Sequence, residues 1–155
     1  MEEKYFSEAI EEILNAIQTK LENATQDGEL LQDVKVIIRG DRTSVKPVTP
    51  AIWIFSGIAV PSPATLHTIV ERWELDVQII SVAYNIKTEE GYKNANDVAA
   101  RAKRILLKDR TLGFGHGTFF ADIRSKSFDC SNPAFANGNF YSAIYTATAV
   151  FCIRE

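Results

Sequence analysis

A chain of 155 residues with 46% apolar and 24% charged side chains, 8 Gly and 5 Pro has the length and balance of one globular domain. This excludes a disordered or fibrous chain, and a fold of this length buries roughly 68–70% of its unfolded surface, so it needs no metal or disulfide staple. A formal net charge of −3 argues against a protein whose main task is to neutralise duplex phosphates.

The chain opens on an amphipathic helix. Phe6, Ile10, Ile13, Leu14, Ile17 and Leu21 recur at three- and four-residue steps, while Glu8, Glu11, Glu12, Asn15, Gln18 and Glu22 take the other faces. Ser7 is a candidate cap, unless Phe6 already lies inside the helix; Asp27-Gly28 is the expected stop, with glycine in the left-handed conformation. Met1-Glu2-Glu3-Lys4 is acidic where a secretory signal is basic, and no run approaches the ~20 apolar residues of a membrane span. The expectation is a soluble chain that stays where it is made.

Strands follow. Val34 to Arg39 is short and β-branched, and Gly40-Asp41-Arg42 turns the chain. Val45 to Pro50 holds two prolines and reads as a loop or an edge. Ala51 to Val60 is the most hydrophobic run, stopped by Pro61-Ser62-Pro63. Four of the five prolines fall between residues 45 and 63, so the region around 40–67 is expected to form a Pro-rich loop or arm on a single domain spanning 1–155. In the next strand Trp73, Leu75, Val77 and Ile79 point one way and Arg72, Glu74, Asp76 and Gln78 the other. Val82 and Tyr84 have the opposite parity, which predicts either a bulge or burial on both faces.

A second helix is predicted from about Glu89 to Lys108, with Tyr92, Ala95, Val98, Ala99, Ala102, Ile105 and Leu106 buried. Its alanines permit close approach to a sheet, and its polar face is basic. Thr118 to Phe128 and Phe140 to Ile153 read as the last strands, separated by the turn-rich stretch Cys130 to Asn139. The order α-β-β-β-α-β-β describes an α+β fold: an antiparallel, possibly mixed, sheet of about five strands with both helices on one face.

Catalytic signatures are missing. Gly113-Phe114-Gly115-His116-Gly117 follows a helix and precedes a strand, whereas a dinucleotide fingerprint needs the reverse order. His67 and His116 are the only histidines, and there is no GxSxG elbow for either to serve. Asp41, Asp122 and Asp129 have no metal-ligand spacing, and the isolated Cys130 and Cys152 cannot make a zinc site; Cys152 reads as a buried small hydrophobe. No catalytic, cofactor or metal residue is therefore expected.

Charge placement is more informative. Residues 1–27 carry seven acids against two bases, and residues 101–110 carry five bases against one acid. Solvated helix faces account for both; the sharper reading sets Glu8, Glu11 and Glu12 of one subunit against Arg101, Arg104 and Lys108 of the next, a head-to-tail contact that closes into a ring.

The helix Phe6 to Leu21, the stretch Thr68 to Ile79 with its W-x-L-x-V-Q-I strand, the alanine-rich helix Asn94 to Leu107 and the closing strands together resemble the tail terminator and tail-completion proteins of long-tailed bacteriophages. The resemblance is one of order and texture over most of the chain. It implies a structural protein of the virion tail, present in the host cytoplasm during assembly, with no cofactor. Its partners would be its own copies, as a ring and commonly a hexamer, together with the tail tube and the head-completion or connector proteins. DNA would at most pass non-specifically through the lumen, and no membrane is involved. The alternative is a small ligand-binding or enzymatic α+β domain using the loop 113–117 and Asp122.

Overall fold

The computed structural model describes residues 6–40, 48–62, 70–114, 120–130 and 139–154. Helix α1 (Phe6–Asn23) buries Ile13, Leu14, Ile17 and Leu21 of the expected stripe and Ala9 beside it, while Phe6 and Ile10 are half-buried against the same core. It ends four residues before Asp27. The chain then turns through 24–33, with Gly28 at φ 83°, and hides Ala24, Leu31 and Val34. The short strand β1 (Val36–Arg39) and the long strand β2 (Ala51–Pro61) follow. Strand β3 (Val70–Tyr84) leads into helix α2 (Thr88–Lys108), and β4 (Phe120–Asp129) and β5 (Phe140–Arg154) close the chain.

All five strands form one mixed sheet in the order β1-β2-β3-β5-β4. Only β1 and β2 are parallel; every other neighbouring pair is antiparallel. Because β3 and β4 each run antiparallel to the β5 between them, they are parallel to one another, and α2 crosses over β5 to join them. This is a split β-α-β unit. Strands β3 and β5 pair without interruption from Val70↔Arg154 to Tyr84↔Phe140 and form the spine of the sheet.

The parity change in β3 is therefore burial on both faces. Its alternation continues unbroken: Leu75, Val77, Ile79, Ser81 and Ala83 face one way, and Ile80 and Val82 face the other. The register shifts fall instead in β2, between Ser56 and Ala59, and in β4, between Ser125 and Ser127.

Both helices pack on the Leu75 face. The stripes of α1 and α2 share one core with Ile52 and Ile54 of β2, Ile123 of β4 and the odd-numbered residues Tyr145 to Ile153 of β5. Phe6 seals one end, its ring centroid 4.7 Å from that of Trp73 and 5.9 Å from that of Phe151. The small side chains Ala95, Ala99 and Ala102 let α2 lie so close that the buried Ser81 hydroxyl donates to the Ala95 carbonyl at 2.5 Å. On the opposite face, Ala51, Trp53 and Val82 form a second buried cluster with Val36, Ile38, Phe55, Ile80 and Phe140 around it.

Candidate assembly surfaces

The charged residues of the two helices divide into those committed within the chain and those left outward. The Glu11 carboxylate accepts both terminal nitrogens of Arg39, at 2.9 and 3.0 Å, which ties α1 to the end of β1 and holds the Glu11 carboxyl below the usual carboxylate range. Arg39 also donates to Asn15 at 3.2 Å. Glu8 is exposed and Glu12 half-buried on the same helix.

Arg101 is a clamp. Its guanidinium donates to both oxygens of Asp33, at 2.7 and 3.0 Å, and to the Leu30 carbonyl at 2.7 Å, with Asp97 3.1 Å from its Nε. The fork geometry matches the carboxylate, so the turn 28–33 is fixed to α2. Hydrogen bonding to Arg101 depresses the Asp33 pKa, and Lys20 does the same to Asp109 across a 2.5 Å ion pair. Lys20 is one of the few bases in the acidic segment, and Asp109 is the sole acid in the basic one. One minority charge of each helical segment thus binds the other, joining the end of α1 to the end of α2.

These depressed carboxyl groups give a pH dependence of definite sign. A lowered folded pKa contributes stability that is complete above the unfolded value of about 3.9 and is lost as pH falls through the folded value. Asp33→Asn should therefore flatten the stability–pH curve below about pH 4 relative to wild type, with a modest effect because the pair is partly exposed. Urea melts between pH 2.5 and 7, a range chosen to span roughly both carboxyl states, would show parallel curves for the two proteins if the pair contributed nothing.

Of the six interface residues predicted from sequence, Glu11 and Arg101 are thus engaged inside the chain, while Arg104 and Lys108 are exposed with no ion pair among the described residues. Lys103, outside that set, lies beside them and has no ion pair among the described residues either. These cations and the apolar Leu30, Ala100 and Leu107 line a surface depression of about 780 Å³.

Asp122, named in the alternative reading, is held by Arg124 at 3.0 Å and Arg110 at 3.3 Å. Arg110 also guards the outer edge of β4: its carbonyl accepts the Ile123 N–H at 2.7 Å and its Nε donates to the Ile123 carbonyl at 3.1 Å. His67, His116 and residues 115–117 of the glycine loop lie outside the described residues, as does much of the 40–67 region. Among the described residues no group of His, Cys, Asp and Glu could hold a metal ion. Cys152 is half-buried, less covered than its apolar run suggests, because it lies on the helix-free face beside Arg72 in the β3–β5 register.

The exposed large apolar residues are the features that sequence reasoning missed. Val48, Tyr84 and Ile86 lie where β2 begins and β3 ends; Ile58 and Val60 lie toward the other end of β2. Ile58 is 75% exposed and Ile86 77%. Residues 55–61 of β2 extend past Arg39, the last residue of β1, and no strand among the described residues pairs with that edge. A second depression, of about 360 Å³, opens beside Arg39, Gly40 and Phe55 at this step. Gly57 was the available signal: a Cβ there would lie 3.3 Å from Asp76, and glycine within a strand marks a bulge.

No protein-family model and no curated protein matches this sequence. No helix among the described residues is long and apolar enough to cross a membrane.

Proposed function

We propose that the chain is a phage or prophage virion assembly protein of the tail-terminator kind. In this reading copies close into a ring, expected to be hexameric, that caps the tail tube in the virion and joins it to the head-completion proteins. Assembly takes place in the host cytoplasm, and the protein acts by shape without catalysis.

The observation that carries the reading is the placement of exposed apolar side chains at two opposite ends of the sheet. Val48, Tyr84 and Ile86 mark one end; Ile58 and Val60 mark the other. The nine steps of β2 from Ala51 to Val60 separate them by about 30 Å at 3.3 Å per residue. A protein stacked in a column needs contact surfaces on opposite ends, and these exposed side chains supply apolar surface at each end. The half-edge of β2 beyond Arg39, which no strand among the described residues pairs with, offers a lateral surface for a neighbouring copy.

Sedimentation velocity and negative-stain imaging at micromolar concentration test this. Closed rings are expected, for the protein alone or mixed with a phage tail-tube protein, and Ile58→Ser/Val60→Ser should weaken its seating on the tube. A monomer at low and moderate salt that also ignores the tube protein would overturn the reading.

A further inference from the structure

Ala100, Lys103, Arg104, Leu107 and Lys108 follow one another at i, i+3, i+4, i+7 and i+8, so they share one face of α2. That face is distinct from the buried stripe of Ala95, Val98, Ala99, Ala102 and Leu106. With Leu30 it lines the depression described above. We infer that this strip is a docking surface for an acidic amphipathic helix of a partner protein.

Charge is the first argument. Arg101 and Arg110, the neighbouring cations in sequence, are bound to carboxylates of this chain, whereas Lys103, Arg104 and Lys108 have no ion pair among the described residues. The negative end of the helix dipole explains a base in the last turn, which is Lys108. It does not explain two more a turn earlier, nor the apolar residues set between them.

Preorganisation is the second. Leu30 remains 38% exposed on a turn that is firmly held. Arg101 grips its carbonyl and Asp33, Leu31 donates to the Ala24 carbonyl at 2.8 Å, and Gly28 donates to the Gln32 side chain at 3.1 Å. An apolar side chain fixed outward loses little freedom on binding, which favours affinity.

The shape and chemistry select the occupant. Residues 100 to 108 span about 12 Å of helix, room for roughly two turns of a partner helix lying alongside. Leu30, Ala100 and Leu107 would be wasted on a nucleic acid, which wants cations and stacking rings rather than an aliphatic floor. Helix α1 of a second copy suits the cations but not the floor: its large apolar side chains face its own core, and Glu11 is bound to Arg39. A helix with leucine-type residues at i and i+3 or i+4, flanked by Glu or Asp, satisfies both.

The test uses the full chain and a fluorescein-labelled helical peptide of about 15 residues, long enough to have helical character. It carries Leu at i, i+4 and i+7 between glutamates. A second peptide has Ser for Leu, a third has Lys for Glu, and a duplex DNA oligonucleotide serves as a polyanion without apolar groups. Anisotropy titrations should give saturable micromolar binding of the first peptide, weakened by salt, with both control peptides at least about tenfold weaker. Arg104→Glu/Lys108→Glu and Leu30→Ser should each cost about tenfold or more, while circular dichroism shows both folded as wild type. The inference is overturned if wild type shows no saturable binding, or if the serine peptide or the DNA binds as tightly as the first peptide. Either variant folded yet binding unchanged, or self-association abolished by the same substitutions, would overturn it as well. The reading does not rest on ring formation: a chain that never forms rings should still bind the peptide, and a ring-former that ignores it refutes this inference alone.

Discussion

Gly91→Ala should destabilise the protein by about 3 kcal/mol, near the upper end for overpacking a core. Helix propensity alone argues the opposite, since alanine is favoured over glycine by about 1 kcal/mol at an exposed helical position. The tertiary contact decides. A Cβ at Gly91 would lie 2.1 Å from Cδ2 and 2.3 Å from Cε2 of the Tyr141 ring, far inside van der Waals contact. The ring has little freedom to retreat: Tyr92 meets it edge-on with centroids 4.8 Å apart, and its hydroxyl donates to Thr88 at 3.2 Å. At this chain length the expected loss lowers the melting temperature by roughly 6–12 °C. Tyr141→Ala removes the obstacle, so the double substitution should cost clearly less than the two single changes added together. An alanine variant as stable as wild type would mean that the helix and the ring are not in contact.

Trp53→Ala is the other large effect, with an expected cost of about 3–5 kcal/mol. Trp53 is only 2% exposed although it points away from both helices, and it packs in the cluster with Ala51 and Val82. Removing the indole leaves a void that the neighbouring β-strands, hydrogen-bonded on both sides, cannot close. Ile58→Ser in the same strand should change stability by no more than about 0.5 kcal/mol, because that side chain already faces solvent. Chemical denaturation of the two variants separates structural from surface roles along one strand. A cost below about 1 kcal/mol at Trp53 would show that the helix-free face carries no core.

Much of this architecture is legible in the chain itself. Phe6 to Leu21 and Tyr92 to Leu106 have the 3.6-residue spacing that a buried helical stripe demands, and Trp73 to Ile79 alternates strictly. The order α-β-β-β-α-β-β and the placement of both helices on one face follow from these periods. The limits were less legible. The first helix stops at Asn23 and not at Asp27, because the chain must turn early to bury Ala24, Leu31 and Val34, and Gly28 serves that later turn.

The surfaces were harder to read. Glu11 and Arg101 look like free charges at their positions in sequence, yet their partners Arg39 and Asp33 lie 28 and 68 residues away. Nothing local distinguishes them from Arg104 or Lys108, which have no such partner among the described residues. Ile58 and Val60 sit in the most hydrophobic run of the chain and read as core, but the bulge after Ser56 and the early end of β1 turn them to solvent.

Period and parity fix which segments are helix or strand and where their apolar faces begin, because both are local properties of the backbone. Tertiary structure alone decided which strand covers which edge, which charges neutralise each other and which apolar side chains stay outside. Those outcomes depend on atoms brought together across long stretches of chain, and their energies are fixed only once solvent has been excluded between them.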